Sequence, residues 1–316
     1  MKKYITLYLK GLSMGAADVV PGVSGGTIAF ITGTYEELIN SINNISLSVF
    51  KTFKTKGIKT AWESINGTFL LAIFLGIATS ILSLSKIIKW LLVAHPILLW
   101  SFFFGLVLAS ILIIAKQIQH WNYSIIIAII ATSILSYLVT ISEPLSSPDS
   151  LWYIFFCGFT AIIAMILPGV SGAFILLILG AYQKVIDTIS NLIQSIGSTD
   201  IALIKDSLTT FFIFGLGAIL GLKLFSKVLN WMFTHKKQMT LAILTGFMIG
   251  SLNKIWPWKK TLTWRINSHN EKVPFLQKSI SPFSFDGNNQ IALAIVLICI
   301  GFFIVFMLEK FGQKKH

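Results

Sequence analysis

Residues 97–115, 124–141 and 291–308 run without a single charged side chain. As helix, about 20 apolar residues cross the ~30 Å of hydrocarbon in a bilayer, so each stretch has the length of a membrane span. The chain of 316 residues is 55% hydrophobic and only 12% charged, with a mean hydropathy of +0.80. That is more apolar surface than one soluble core encloses, so the bilayer is expected to act as solvent. Further spans are expected at about 67–85, 209–226 and 238–256. Lys10 interrupts the N-terminal apolar stretch and no small-residue cleavage site follows it, so the first apolar region is not expected to be a removable signal peptide.

A net charge of +13 would point to nucleic acid in a soluble chain. Here the lysines gather in short loops beside apolar spans, which is the positive-inside pattern. The loop with Lys51, Lys54, Lys56 and Lys59, the run His235, Lys236 and Lys237, and the tail with Lys310, Lys314 and Lys315 point to cytoplasmic contact with anionic lipid headgroups. Glu143, Pro144 and Asp149 then fall on the opposite side, giving a multi-pass protein with both termini in the cytoplasm and no nucleic-acid partner. The 257–289 loop disagrees, since Lys259, Lys260, Arg265, Lys272 and Lys278 fall on the outer side. Cys157 and Cys299 lie in apolar spans as small hydrophobes, and the five histidines lack ligand spacing, so neither disulfide nor metal is expected. No P-loop or nucleophile elbow appears, which argues against an ATP-driven pump.

The chain repeats itself. Residues 21–25 and 168–172 both read PGVSG, and each is followed by an apolar stretch ending in Gly-x-Tyr, at Tyr35 and Tyr182, with an offset of 147 (168 less 21). Gly76, Ser85, Lys86, Trp90, Gly105 and Ser110 recur as Gly217, Ser226, Lys227, Trp231, Gly246 and Ser251, with an offset of 141 (217 less 76). Identical glycine, lysine and tryptophan positions in one register indicate internal duplication. Pro removes a backbone donor and Gly weakens helix, so both motifs break their helices inside apolar sequence. Broken backbone at membrane depth is tolerated where protein buries it or water reaches it, as in a re-entrant hairpin. A hairpin plus three spans is an odd number of crossings, so the second half must be inverted. The expected fold is therefore all-α. It is a polytopic membrane protein of one domain, residues 1–316, with two inverted repeats at about 4–141 and 151–308, each a re-entrant helical hairpin plus about three transmembrane helices.

The first motif places Gly22, Ser24, Gly25, Gly26 and Thr27 just before an apolar helical stretch, and the second offers Gly169, Ser171 and Gly172. Free amides at a helix start carry the positive end of its dipole, and glycines admit an anion closely, so a phosphate or other oxyanion could bind there. Tight helix crossing by small residues is the plainer use of the same glycines. Pro21 and Pro168 are the helix breaks. Asp18 precedes the first break, and its counterpart in the second half is Met165. An acid in an apolar segment is either a proton or cation carrier or a half-helix cap. Lys86 and Lys227 could pair with phosphate or snorkel to the interface. The GxxxG spacing of Gly217 with Gly221 and of Gly246 with Gly250 reads as helix packing, and Trp256, Pro257 and Trp258 as an interfacial belt ending a helix.

The stretches GAADVVPGVSGGTIAFITGTYEELI (15–39), AMILPGVSGAFILLILGAY (164–182) and GSLNKIWPWK (250–259) closely resemble the bacterial and archaeal polyprenyl-phosphate transporter family. The resemblance covers essentially the whole chain. It implies a flippase of the cytoplasmic membrane that returns undecaprenyl phosphate, the carrier lipid of peptidoglycan and other envelope glycans, without a cofactor and with possible coupling to a proton or sodium gradient. The family motif is carried by Asp18, Pro21, Gly22, Ser24, Gly25, Gly26 and Thr27, with Pro168, Gly169, Ser171 and Gly172 in the second half. A basic residue often stands in that family where this chain has Asn253, which makes its neighbour Lys254 the alternative contact for phosphate. Two other readings remain. One is a transporter or channel for another anion or lipid headgroup, which the same broken helices would serve. The other is undecaprenyl-pyrophosphate phosphatase, whose Pro-Gly-x-Ser motif continues with Arg; here Gly25 and Gly172 follow the serines, and the single arginine of the chain is Arg265.

Overall fold

The computed structural model describes residues 2–20, 23–145, 148, 150–194, 201–266 and 272–313. Pro21, Gly22, Asp149, Lys314 and Lys315, which entered the expectations above, lie outside the described residues. The first half opens with α1 (Lys2–Asp18), whose helix stops before Pro21, and restarts as the short α2 (Gly25–Ile31). After a turn at Gly33, whose φ of +68° suits glycine, come α3 (Tyr35–Asn44), α4 (Leu47–Ser64), α5 (Gly67–Ala94), α6 (Pro96–Lys116) and α7 (Tyr123–Ile141). The second half repeats the order with α8 (Leu151–Ile166), α9 (Gly172–Ile178), a turn at Gly180 of the same φ, α10 (Tyr182–Gln194), α11 (Ile201–His235) and α12 (Lys237–Ser251). An antiparallel hairpin of β1 (Lys259–Ile266) and β2 (Lys272–Ser279) and a 3-10 turn (Pro282–Ser284) then lead to α13 (Ile291–Gln313).

Among the described residues, four helices are long and apolar enough to cross a membrane, over Gly67–Leu84, Pro96–Lys116, Tyr123–Ile141 and Ile204–His235. α9 and α10 form a further apolar pair bent by 113° at the Gly180 turn. Exposed Leu82, Ile127, Ile219 and Phe303 stand on the outer sides of α5, α7, α11 and α13, where only hydrocarbon matches them. α6 is the central helix, with twelve buried residues.

Several expectations need correction. The Lys51 to Lys59 segment is not a loop but lies within α4, broken at Gly57 (φ +84°). The span expected at 238–256 stops at Ser251, because the chain then turns and is held away from the helix: the Trp256 and Trp258 indoles donate to the Ile280 and Asn289 carbonyls at 2.8 Å. Trp258 is buried against Ile97 and Ala294, so it is not part of an interfacial belt. The basic 257–289 loop contains a β-hairpin that the all-α reading omitted, although Thr261 to Ile266 already alternates polar and apolar residues.

Glycines set the closest helix contacts, and they do so twice. A Cβ on Gly11 would stand 2.2 Å from the Ile73 carbonyl oxygen and one on Gly76 2.2 Å from that of Tyr8, which locks α1 to α5. One on Gly158 would stand 2.2 Å from the Phe214 oxygen and one on Gly217 2.1 Å from that of Phe155, which locks α8 to α11. All four residues of the second set are those of the first shifted by the two repeat offsets. The remaining helices exchange partners between halves. Gly105 of α6 meets the Ile298 oxygen of α13, and Gly246 and Gly250 of α12 meet the Ile129 and Ser133 oxygens of α7.

The repeat-equivalent helices α6 and α12 run antiparallel. Gln119, just past α6, donates its backbone N–H to Gln238 Oε1 at the start of α12 (2.8 Å), while Ile97 at the start of α6 packs with Trp258 beyond the end of α12.

Candidate functional site

The two broken motifs, 142 residues apart at their junction, touch. Ser24 is extended (φ −125°, ψ 134°) and N-caps α2: its hydroxyl accepts from the Gly26 N–H at 3.1 Å and donates to the Met165 carbonyl at 3.1 Å. Tyr35, buried at the start of α3, donates its hydroxyl to the Ile166 carbonyl at 3.1 Å. The last carbonyls of a helix have no partner within it. Those of α8 are thus met by side chains of the other half. In return the Gly169 N–H donates to Thr27 Oγ1 at 3.0 Å, a buried bond between the motifs. Thr27 is fully buried and Ser24 nearly so.

The carboxylate of Asp18 accepts from the Gly25 N–H at 2.7 Å, so it caps α2. A Cβ at Gly25 would stand 2.5 Å from Asp18 Oδ2, so only glycine lets the acid come this close. The first two amides of α2 are therefore met inside the protein, by Asp18 and Ser24. The second motif differs. Met165 replaces the acid, and Ser171, buried as the N-cap of α9, makes no side-chain cap bond. Gly169 (φ +86°) is pressed against the end of α12, where a Cβ would meet Ser251 Oγ at 2.8 Å.

Lys254 and Lys259 follow directly from that contact. The Lys254 ammonium lies 3.9 Å from the ring centroid of Phe174 in α9, and that of Lys259 lies 3.5 Å from Trp100 in α6. Lys259 also donates to the Lys254 carbonyl at 2.7 Å. Burial pushes the Lys259 ammonium well below the ordinary lysine range, and the neighbouring Lys254 charge pushes it further down.

Of the residues expected at a site, the structure brings together Asp18, Ser24, Gly25, Gly26, Thr27, Pro168, Gly169, Ser171 and Gly172. It does not bring Lys86 or Lys227 into this group: both are exposed on the flanks of α5 and α11, and Lys86 lies two residues past the apolar window that ends at Leu84. Lys259, Trp100 and Tyr35 were not singled out as site residues. The repeated Gly-x-Tyr was the available signal for Tyr35. The spacing of two lysines around Trp256-Pro257-Trp258 was the one for Lys259.

Comparison with known proteins gives a consistent picture. Residues 14–273 match the undecaprenyl phosphate translocase-like family. A Vibrio cholerae protein named Polyprenyl-phosphate transporter is 45% identical over 315 residues, 98% of each chain. A Staphylococcus aureus protein of the same name is 34% identical over 267 residues, covering 81% of this chain and 87% of its own. No solved structure matches. The chain belongs to the undecaprenyl phosphate translocase-like family, and it is a transporter rather than an enzyme.

Proposed function

We propose that this protein carries undecaprenyl phosphate, or a polyprenyl phosphate of that class, across the bacterial cytoplasmic membrane and so returns the carrier lipid for envelope glycan synthesis. The observation that carries the reading is the contact between the two PGVSG motifs, together with the transported class named for relatives that align over most of the chain. A long isoprenoid tail can stay in lipid while only the phosphate crosses. The protein then needs a polar path open sideways to the bilayer, and this reading assigns that path to the two broken helices, whose contacts must part to open it. In this reading the phosphate passes along Gly22, Ser24, Gly25, Gly26 and Thr27 on one side and Gly169, Ser171 and Gly172 on the other. Asp18 must release the Gly25 amide before an anion can take it, which makes Asp18 the group through which a proton or sodium ion would be coupled. The antiparallel run of α6 and α12 supports inverted halves, and the lysine-rich segments support both termini in the cytoplasm.

The test is transbilayer exchange of labelled polyprenyl phosphate in proteoliposomes, with empty vesicles as control. Exchange faster than the control, lost in Ser24→Ala/Ser171→Ala and without release of inorganic phosphate, supports the proposal. No acceleration under varied pH and ion gradients overturns it in favour of a small-anion carrier. Asp18→Asn keeps a carbonyl acceptor for Gly25 and removes the charge; pH-independent exchange at the wild-type rate would remove Asp18 from the coupling.

A further inference from the structure

Two lysine side chains leave the segment just past α12, half-buried and each against one aromatic face: Lys254 on Phe174, Lys259 on Trp100. Among the described residues, no carboxylate stands within ion-pair distance of either. Ring faces attract cations but carry no net charge, and a carbonyl that accepts from Lys259 neutralises nothing. Two amines out of bulk water repel when both are charged and lose hydration together, which holds Lys259 below its ordinary range, and an anion beside them would restore both charges. The segment that carries them also abuts the second motif, since Ser251 packs on Gly169 and Lys254 packs on α9.

We propose that Lys254 and Lys259 form a headgroup subsite that selects a phosphate monoester dianion over the singly charged phosphodiesters of ordinary lipids. The inference rests on the transport reading above and adds how the carrier distinguishes its cargo. A phosphate monoester carries about −1.5 to −2 charges at pH 7, its second proton leaving near pH 6, whereas a diester has one charge to offer two lysines. Anionic bilayer lipids are diesters and abundant. A site that reads only negative charge would be filled by them, and a site that needs a second charge is not.

The experiment measures binding of farnesyl phosphate and of its monomethyl ester, which keeps the chain and loses one charge, to the purified full-length protein in zwitterionic nanodiscs. Tryptophan fluorescence is the readout, since Trp100 lies against Lys259. The monoester is expected to bind more tightly by at least about tenfold. Lys254→Ala and Lys259→Ala are each expected to lose that preference, monoester binding weakening by at least about tenfold and diester binding by less, and Lys254→Arg to retain it. Because Lys259 also holds the turn, only variants that elute as the wild type does are compared, and the wild-type preference stands as a test without any variant. Equal affinity for the two ligands, or a preference that survives in well-folded Lys254→Ala, overturns the subsite. Vesicles that exchange polyprenyl phosphate without any charge preference in binding would sink the subsite alone. A preference without exchange would sink the transport reading and leave the subsite standing.

Discussion

At the scale of single residues, the junction of the motifs depends on a few buried polar atoms. Thr27 Oγ1 is the acceptor for the Gly169 N–H. Thr27→Val keeps the shape and leaves that amide without a partner, which costs about 1–3 kcal/mol when the group is buried. Thermal unfolding in detergent should show the loss, and Thr27→Ser should restore much of it. Gly25→Ala is expected to be worse for function than for folding, because the new methyl group meets the Asp18 carboxylate, a side chain that can turn away, at 2.5 Å. Exchange in proteoliposomes should fall more than the unfolding temperature does. The sequence showed which residues were unusual here: repeated glycines and serines, and an acid in apolar sequence. It left Asp18 open between carrier and cap; the cap is a 2.7 Å bond to an amide seven residues away across a helix break, and the carrier role is what the Asp18→Asn exchange measurement tests.

At the scale of elements, α11 contains its own control. A Cβ on Gly217 would stand 2.1 Å from the Phe155 backbone oxygen of α8, where only a shift of the whole helix gives relief, while one on Gly215 meets nothing within 4 Å. Gly217→Ala is therefore expected to destabilise by about 1–3 kcal/mol, in the range of overpacked cores. Gly215→Ala should cost nothing and gain slightly from the better helix former. Differential scanning fluorimetry of the two variants tests the contact, and Gly76→Ala should copy Gly217→Ala if the halves pack alike. The helix starts and breaks were legible, since Pro, Gly and Ser act on their own backbone. The ends of α5, α11 and α12 were not, because an apolar window marks where lipid begins and a helix continues beyond it wherever hydrogen bonds allow. The same reason hid α4, whose lysines read as a loop although nothing in that run forbids helix before Gly57.

At the scale of the whole molecule, the proposed inversion of the halves makes a definite prediction. In a variant without Cys157 and Cys299, single cysteines at His120 and His235 should react only with a permeant thiol reagent, and one at Asp286 should react with an impermeant reagent added outside. Labelling of all three positions from one side would rule out inverted halves. The amino-acid sequence by itself determined that the solvent is a bilayer, that the chain is duplicated, and where its helices must break, because hydropathy, repetition and proline are properties of neighbouring residues. Only the tertiary structure decided that α6 pairs with α13 and α7 with α12, that the two motifs share hydrogen bonds, and that Lys254 and Lys259 lie against two rings from different halves. Those facts join residues far apart in the chain, through backbone approaches and single hydrogen bonds that leave no periodic trace in the sequence.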